Sequence, residues 1–337
     1  MSLPSTASIK TPIKFSAKDD ARLLHRLLKS KFTADQVAEI IVPRTFNQRT
    51  QIKNAYENEF GDELISSICK SKNDTENLIF LLFKGPINTA AREMHKKIDK
   101  DILDETICCY NNDELNDLKD AYRYFSESSP NSKYVELIDA INDSTKGTYN
   151  TYLVHLLNKS RPEISNDIMQ NTYNKYKTLD TLVDENLVRK DIGFVRSQCI
   201  PKTKPDELEL VEIFSKRTNL HLCSIYLTYK NMYGTSVVED ISKYVSKPLR
   251  NAINTSIMNA LDNKLLTIAQ LYESMKGLGT RETTLSRIIG TRAEVDLEHL
   301  KVLYEERIGV NLIDRVSSDT GGDYKVYLKA LLGNFGK

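Results

Sequence analysis

The sequence predicts an all-α protein made of four repeats. Apolar residues recur at helical spacing almost throughout, and no segment sustains the two-residue alternation of a strand bounded by hairpin turns. Groups of helix signals also return in the same order along the chain. In the first group, Leu24, Leu27 and Leu28, then Val37, Ile40 and Ile41, each mark one face of a short helix. Ile52, Ala55, Tyr56 and Phe60 mark the next, and Leu64, Ile65 and Ile68 the one after. Thr33-Ala34-Asp35-Gln36 has the form of a capping box, which satisfies the free backbone N–H groups at a helix start.

The signposts of Thr33 to Leu82 return between Thr280 and Leu328. Ile40-Ile41-Val42-Pro43-Arg44-Thr45 matches Ile288-Ile289-Gly290-Thr291-Arg292, and Tyr56 to Leu64 matches Tyr304 to Leu312. A third copy runs through Pro205-Asp206-Glu207, Ile213 to Thr218, and Tyr229 to Gly234. The second copy is the most eroded: Asn111 to Leu115, Tyr122 to Phe125 and Asp143 to Tyr149 remain legible, and Tyr110 replaces the arginine. Between the second and third copies, the polar stretch Asn158 to Lys177, which contains Arg161-Pro162, reads as a long linker between two halves.

Composition excludes several classes of function. With 337 residues, 40% hydrophobic and 28% charged, and a mean hydropathy of −0.42, the chain has the balance of a soluble globular protein with ample core. Lys and Arg number 47 against 46 Asp and Glu, so no overall field draws it to nucleic acid or to an anionic membrane. No signal-type segment opens the sequence, and no apolar run approaches the ~20 residues of a spanning helix, so a cytoplasmic location is expected. Five cysteines without metal spacing are expected to be free thiols.

One motif carries chemistry. Met275-Lys276-Gly277-Leu278-Gly279-Thr280 is a glycine-spaced loop, and Asp319-Thr320-Gly321-Gly322-Asp323-Tyr324 follows later in the chain. Glycine reaches positive φ without steric cost, which lets the carbonyls of Met275, Gly277 and Gly279 turn outward toward one point. Asp319 would close the cage. Such hard oxygen donors suit Ca2+, and three carbonyls with one carboxylate leave coordination open. Catalytic constellations are not found: the loop lacks the Gly-Lys-Ser/Thr of a phosphate-binding loop, the five histidines are scattered without a paired-ligand motif, and no Gly-x-Ser-x-Gly occurs. A binding protein, not an enzyme, is expected.

The four units, the glycine-spaced loop and the Asp-Thr-Gly-Gly-Asp-Tyr segment together resemble the annexin family, and within it the divergent annexin-like alpha-giardins. That resemblance implies a curved disc of four repeats with five helices each, whose calcium loops meet anionic phospholipid on the convex face. It divides the chain into a short tail (1–14), repeat one (15–85), degenerate repeat two (86–158), the linker (159–177), repeat three (178–254) and repeat four (255–337). It assigns Met275, Gly277, Gly279 and Asp319 to the main calcium site, and Thr280 and Glu282 to an auxiliary one. Glu282 would equally serve the helix dipole, worth ~0.3–1 kcal/mol. Lys276 and Leu278 at the loop tip are the expected lipid contacts.

The other repeats have lost the loop. Repeat one reads Leu28-Lys29-Ser30-Lys31-Phe32-Thr33, with Asp74 late for the acidic position in Ser71-Lys72-Asn73-Asp74. Repeat two keeps Asp143 but offers Glu93-Met94-His95-Lys96-Lys97-Ile98, and repeat three has Thr203-Lys204-Pro205 with Tyr244 in place of the acid. Lys96, Lys97, Lys202 and Lys204 are either solvated charges or direct phosphate contacts. The resemblance implies phosphatidylserine or phosphatidic acid as partner, and a homo-oligomer would multiply one weak site. The alternative is a cytoskeletal scaffold associated with microtubules or flagella, with reduced or no membrane binding.

Overall fold

The computed structural model describes residues 7–9, 14–69, 74–159, 161–199 and 204–333; among them the regular structure is helical, without a strand. The first repeat holds α1 (Ala17–Leu28), α2 (Ala34–Ile41), α3 (Phe46–Phe60), α4 (Leu64–Ile68) and the first part of α5 (Asp74–Lys96). The rest of α5 opens the second repeat, followed by α6 (Lys100–Thr106), α7 (Asn112–Glu127), α8 (Leu137–Ser144) and α9 (Gly147–Leu157). After α10 (Asn166–Tyr176) come α11 (Glu185–Gln198), α12 (Glu207–Lys216), α13 (Asn219–Tyr233), α14 (Val237–Tyr244) and α15 (Lys247–Ser274). The end of α15 leads into α16 (Glu282–Arg292), α17 (Leu297–Ile308), α18 (Leu312–Asp319) and α19 (Gly322–Leu331).

Local chemistry sets the ends of these helices. The Gln36 side chain accepts from the Thr33 amide at 3.0 Å, so the capping box at the start of α2 forms. Gly61, Gly234 and Gly309 adopt left-handed backbone and stop α3, α13 and α17. Two long helices are broken inside. Gly85, at φ +82 and followed by Pro86, breaks α5, and in α15 Asp262 leaves helical backbone while its carboxylate accepts from the amides of Lys264 (2.9 Å) and Leu265 (3.2 Å). The repeat boundary expected at 254/255 therefore falls within α15, ahead of its break.

The recurring arginine has a structural reason. Arg44 makes a two-pronged pair with Asp20 of α1 (2.6 and 3.0 Å), and Arg217 does the same with Asp191 of α11 (2.7 and 3.1 Å). In the fourth repeat Arg292 turns instead to Asp296, at 2.7 and 2.6 Å. Each pair ties the end of one helix to a neighbouring segment through a planar fork that lysine cannot reproduce.

The chain divides into two compact units that do not follow its order: one joins 1–89 with 267–337, and the other is 90–266. In the first, α19 packs on α2, so the fourth repeat completes the first; in the second, α9 packs on α12. The 159–177 segment, expected to link two halves, lies inside the second unit. Arg161, nearly buried, donates to the Phe214 carbonyl (2.7 Å) and the Tyr152 hydroxyl (3.2 Å), and so fastens the segment to the unit. The polar run beyond it forms α10, whose start is capped by Ser165 accepting from Ile168, yet α10 buries none of its residues. The described part of the tail is docked on the first unit: the Ser8 amide donates to the Ala293 carbonyl at 3.0 Å, and Ile9 is buried. The five cysteines are free thiols, and burial pushes Cys199 up to about 11.

Candidate metal site

The fourth repeat's loop joins the end of α15 to the start of α16. It is closed by the Arg281 amide donating to the Ser274 carbonyl at 2.8 Å. Within it Gly277 (φ +91) and Gly279 (φ +87) both take left-handed backbone, although a Cβ at either position would meet nothing within 4 Å. Glycine is needed there for the backbone and not for space; an L-residue would cost ~1–2 kcal/mol. Leu278 between them is fully exposed at 107%. Among the described residues no hydrogen bond is made to the carbonyl of Gly277 or of Gly279.

Asp319, the last residue of α18, stands against this loop. The Thr280 hydroxyl donates to the Asp319 carbonyl at 2.9 Å, which joins the two segments. A residue that sequence reasoning passed over then completes the arrangement. Arg315 Nη2 lies 3.1 Å from Asp319 Oδ2, and the same nitrogen donates to the Met275 carbonyl. A single cationic atom is thus held between two of the four expected calcium donors. This is a direct test of fit: the donor set gathers around positive charge, and the guanidinium stands in for a metal cation. The signal was present as an Arg–Asp pair one helical turn apart on α18.

The remaining candidates fall around this pair. Lys276 is held by Glu273 at 3.1 Å and lies 5.3 Å from the centre of the Tyr272 ring; its hydrogen bond to Glu273 raises its pKa. Its ammonium is thereby directed toward the end of α15. Glu282 opens α16, half-buried, and its carbonyl accepts from the Tyr324 hydroxyl at 2.9 Å. Among the described residues the buried Tyr304 hydroxyl has no hydrogen-bond partner; burial raises its pKa, with Arg315 opposing the rise and Asp319 adding to it. Among the described residues no three His, Cys, Asp or Glu side chains converge, so any cation bound here must rely on carbonyls.

In the other repeats the corresponding groups are committed elsewhere. Asp143 is paired with Lys133 at 3.0 Å, and hydrogen bonds from Lys133 and then Tyr134 hold its carboxyl below the usual range. Glu207, at the start of α12, accepts from the amide (2.7 Å) and hydroxyl (3.0 Å) of Ser246. Tyr244 ends α14 and supplies no carboxylate. Ser71-Lys72-Asn73, the side chain of Asp74, Lys202 and Thr203 lie outside the described residues.

Comparison with known proteins gives concordant matches. The model of the family described as Annexin matches residues 19–82, 197–254 and 268–331, passing over the eroded second repeat. Annexin A13 of Homo sapiens is 31% identical over 334 residues, covering 97% of this chain and 98% of that protein. Annexin D5 of Arabidopsis thaliana is 27% identical, with 97% and 99% covered. Among solved structures, the calcium-bound annexin (Sm)1 superposes with a TM-score of 0.81 at 25% identity, over 98% of this chain and 94% of that one. The calcium-bound alpha-14 giardin shares the fold, with a TM-score of 0.73 at 15% identity over 94% and 99%.

Proposed function

The chain belongs to the annexin family, and on that premise we propose that it binds anionic phospholipid in a calcium-dependent way through the fourth repeat. The observation that carries this reading is the cationic nitrogen of Arg315 shared by the Met275 carbonyl and the Asp319 carboxylate. The carbonyls of Met275, Gly277 and Gly279, with the Asp319 carboxylate, would hold Ca2+, and Thr280 and Glu282 would serve an auxiliary site. When bound, calcium supplies coordination positions for a phosphate oxygen of phosphatidylserine or phosphatidic acid. Leu278 is placed to enter the headgroup layer, whereas Lys276 must first leave Glu273.

Arg315 sets a condition on binding. Its side chain must swing off Met275 and Asp319 before a metal can use those oxygens. Lipid and calcium then reinforce one another by linkage, since each favours the state in which the other binds. The partition into tail, four repeats and a linking segment is part of this proposal, with calcium chemistry confined to repeat four. One weak site per chain gives a peripheral, reversible membrane association, which oligomers would strengthen.

Sedimentation with phosphatidylserine vesicles tests the reading. Pelleting should require calcium, reverse with chelator and be lost in Asp319→Ala; no pelleting at millimolar calcium would overturn it and favour the cytoskeletal scaffold.

A further inference from the structure

The third and fourth repeats treat the same buried tyrosine differently. Tyr229 on α13 and Tyr304 on α17 are fully buried, and each lies five residues before the left-handed glycine that ends its helix, Gly234 or Gly309. Six residues beyond that glycine, on α14 or α18, stands a charged residue: Asp240 in the third repeat and Arg315 in the fourth. α13 packs on α14 as α17 packs on α18, so the two pairs occupy equivalent places within their repeats.

In the third repeat the pair is closed. The Tyr229 hydroxyl donates to the Asp240 carboxylate at 2.7 Å, and Arg196 pairs with the same carboxylate at 2.6 Å. A side chain at this place therefore reaches the tyrosine hydroxyl, and arginine is longer than aspartate. In the fourth repeat the pair is open. Arg315 is engaged by the Met275 carbonyl and the Asp319 carboxylate, and among the described residues the Tyr304 hydroxyl has no hydrogen-bond partner. A buried hydroxyl left in this state is unfavourable, and both of its capacities, donor and acceptor, are unused.

We infer that the Tyr304 hydroxyl is a second position for the Arg315 guanidinium, which moves there as it yields the oxygens of Met275 and Asp319 to calcium. The guanidinium hydrogen-bonds only as a donor, and the phenolic oxygen offers it an acceptor in exchange for the two it leaves. It is also more weakly hydrated than an ammonium, which suits it to a position turned toward the interior. Tyr304 is then a positioning residue: it touches no metal, and it lowers the cost of clearing the site. Calcium affinity is set by the balance between the two positions of one side chain. The inference rests on the fourth-repeat calcium reading and names how that site is regulated.

Calorimetric titration of calcium into the full chain tests it, with Tyr304→Phe, Arg315→Ala and the double variant measured alongside. Tyr304→Phe is expected to weaken calcium binding about three- to tenfold, the range of one net hydrogen bond. Its metal-free melting temperature should equal or exceed that of the wild type, since no bond is lost there. In the Arg315→Ala background the same substitution should change calcium affinity by less than about twofold, because no guanidinium needs the second position. Wild-type affinity in Tyr304→Phe overturns the inference and leaves the calcium reading intact. An equal loss in both backgrounds also overturns it, by assigning the hydroxyl a direct effect on the metal or Asp319. Early melting of metal-free Tyr304→Phe does the same, by showing that the hydroxyl is already bonded. A wild type that binds no calcium overturns the calcium reading and the inference together.

Discussion

At the scale of single residues, the decisive contact is that of Arg315 with Met275 and Asp319. A tethered cation competes with a dissolved one, so removing it should help calcium. Arg315→Gln is expected to tighten calcium binding roughly three- to tenfold, or ~0.7–1.4 kcal/mol, the upper range for a partly exposed pair. Calorimetric titration of both proteins checks this, and unchanged affinity would mean that the guanidinium does not compete. Asp319→Ala should abolish calcium-induced thermal stabilisation and leave the metal-free melting temperature within a few degrees, because the half-buried carboxylate sits at a helix C-terminus, where its charge opposes the dipole and offsets part of the lost pair with Arg315. The glycines and Asp319 were legible as a motif. Arg315 was not, because the motif was read as a list of donors, and the competitor lies on the helix leading into it.

Among helices, most of the architecture was written as local signals: the capping box of α2, the glycines after α3, α13 and α17, and the arginines that became Arg44–Asp20 and Arg217–Asp191 pairs. Arg49 was missed, since an arginine in an amphipathic pattern reads as exposed. It is buried in the first unit, donating through Nε to the Leu82 carbonyl at 2.7 Å and pairing with Glu294; burial pulls its pKa down, and Glu294 opposes this. It joins α3 of the first repeat to the segment after α16 of the fourth. Arg49→Met should cost about 3–5 kcal/mol, because it strands buried carbonyls and one carboxylate. Urea denaturation measures this; a loss below about 1 kcal/mol would mean that the carbonyls find other partners.

At the scale of the whole molecule, the sequence revealed the repeats but not their partners. Pairing of α2 with α19 and of α9 with α12 depends on contacts remote in sequence, and a polar segment expected to be a linker is fastened by the buried Arg161 and by Asn112, whose amide donates to Glu163. The second unit also carries a pH response. Burial pushes the Asp104 carboxyl up to about 7 from its ordinary 3.8, against the pull of the Tyr149 hydroxyl donating to it at 2.9 Å. The folded state therefore binds more protons than the unfolded state between these values, and stability falls as pH rises through that window. Melting should occur at higher temperature at pH 5 than at pH 8, and Asp104→Asn should flatten the difference; an equal slope in the variant would assign it to other groups. The central claim is that one repeat of four carries the calcium. A crystal of the protein soaked in calcium tests it most directly: density for the ion is predicted among Met275, Gly277, Gly279 and Asp319, with Arg315 turned away. Arg315 still bridging Met275 and Asp319 at saturating calcium, or the ion bound only in another repeat, would contradict it.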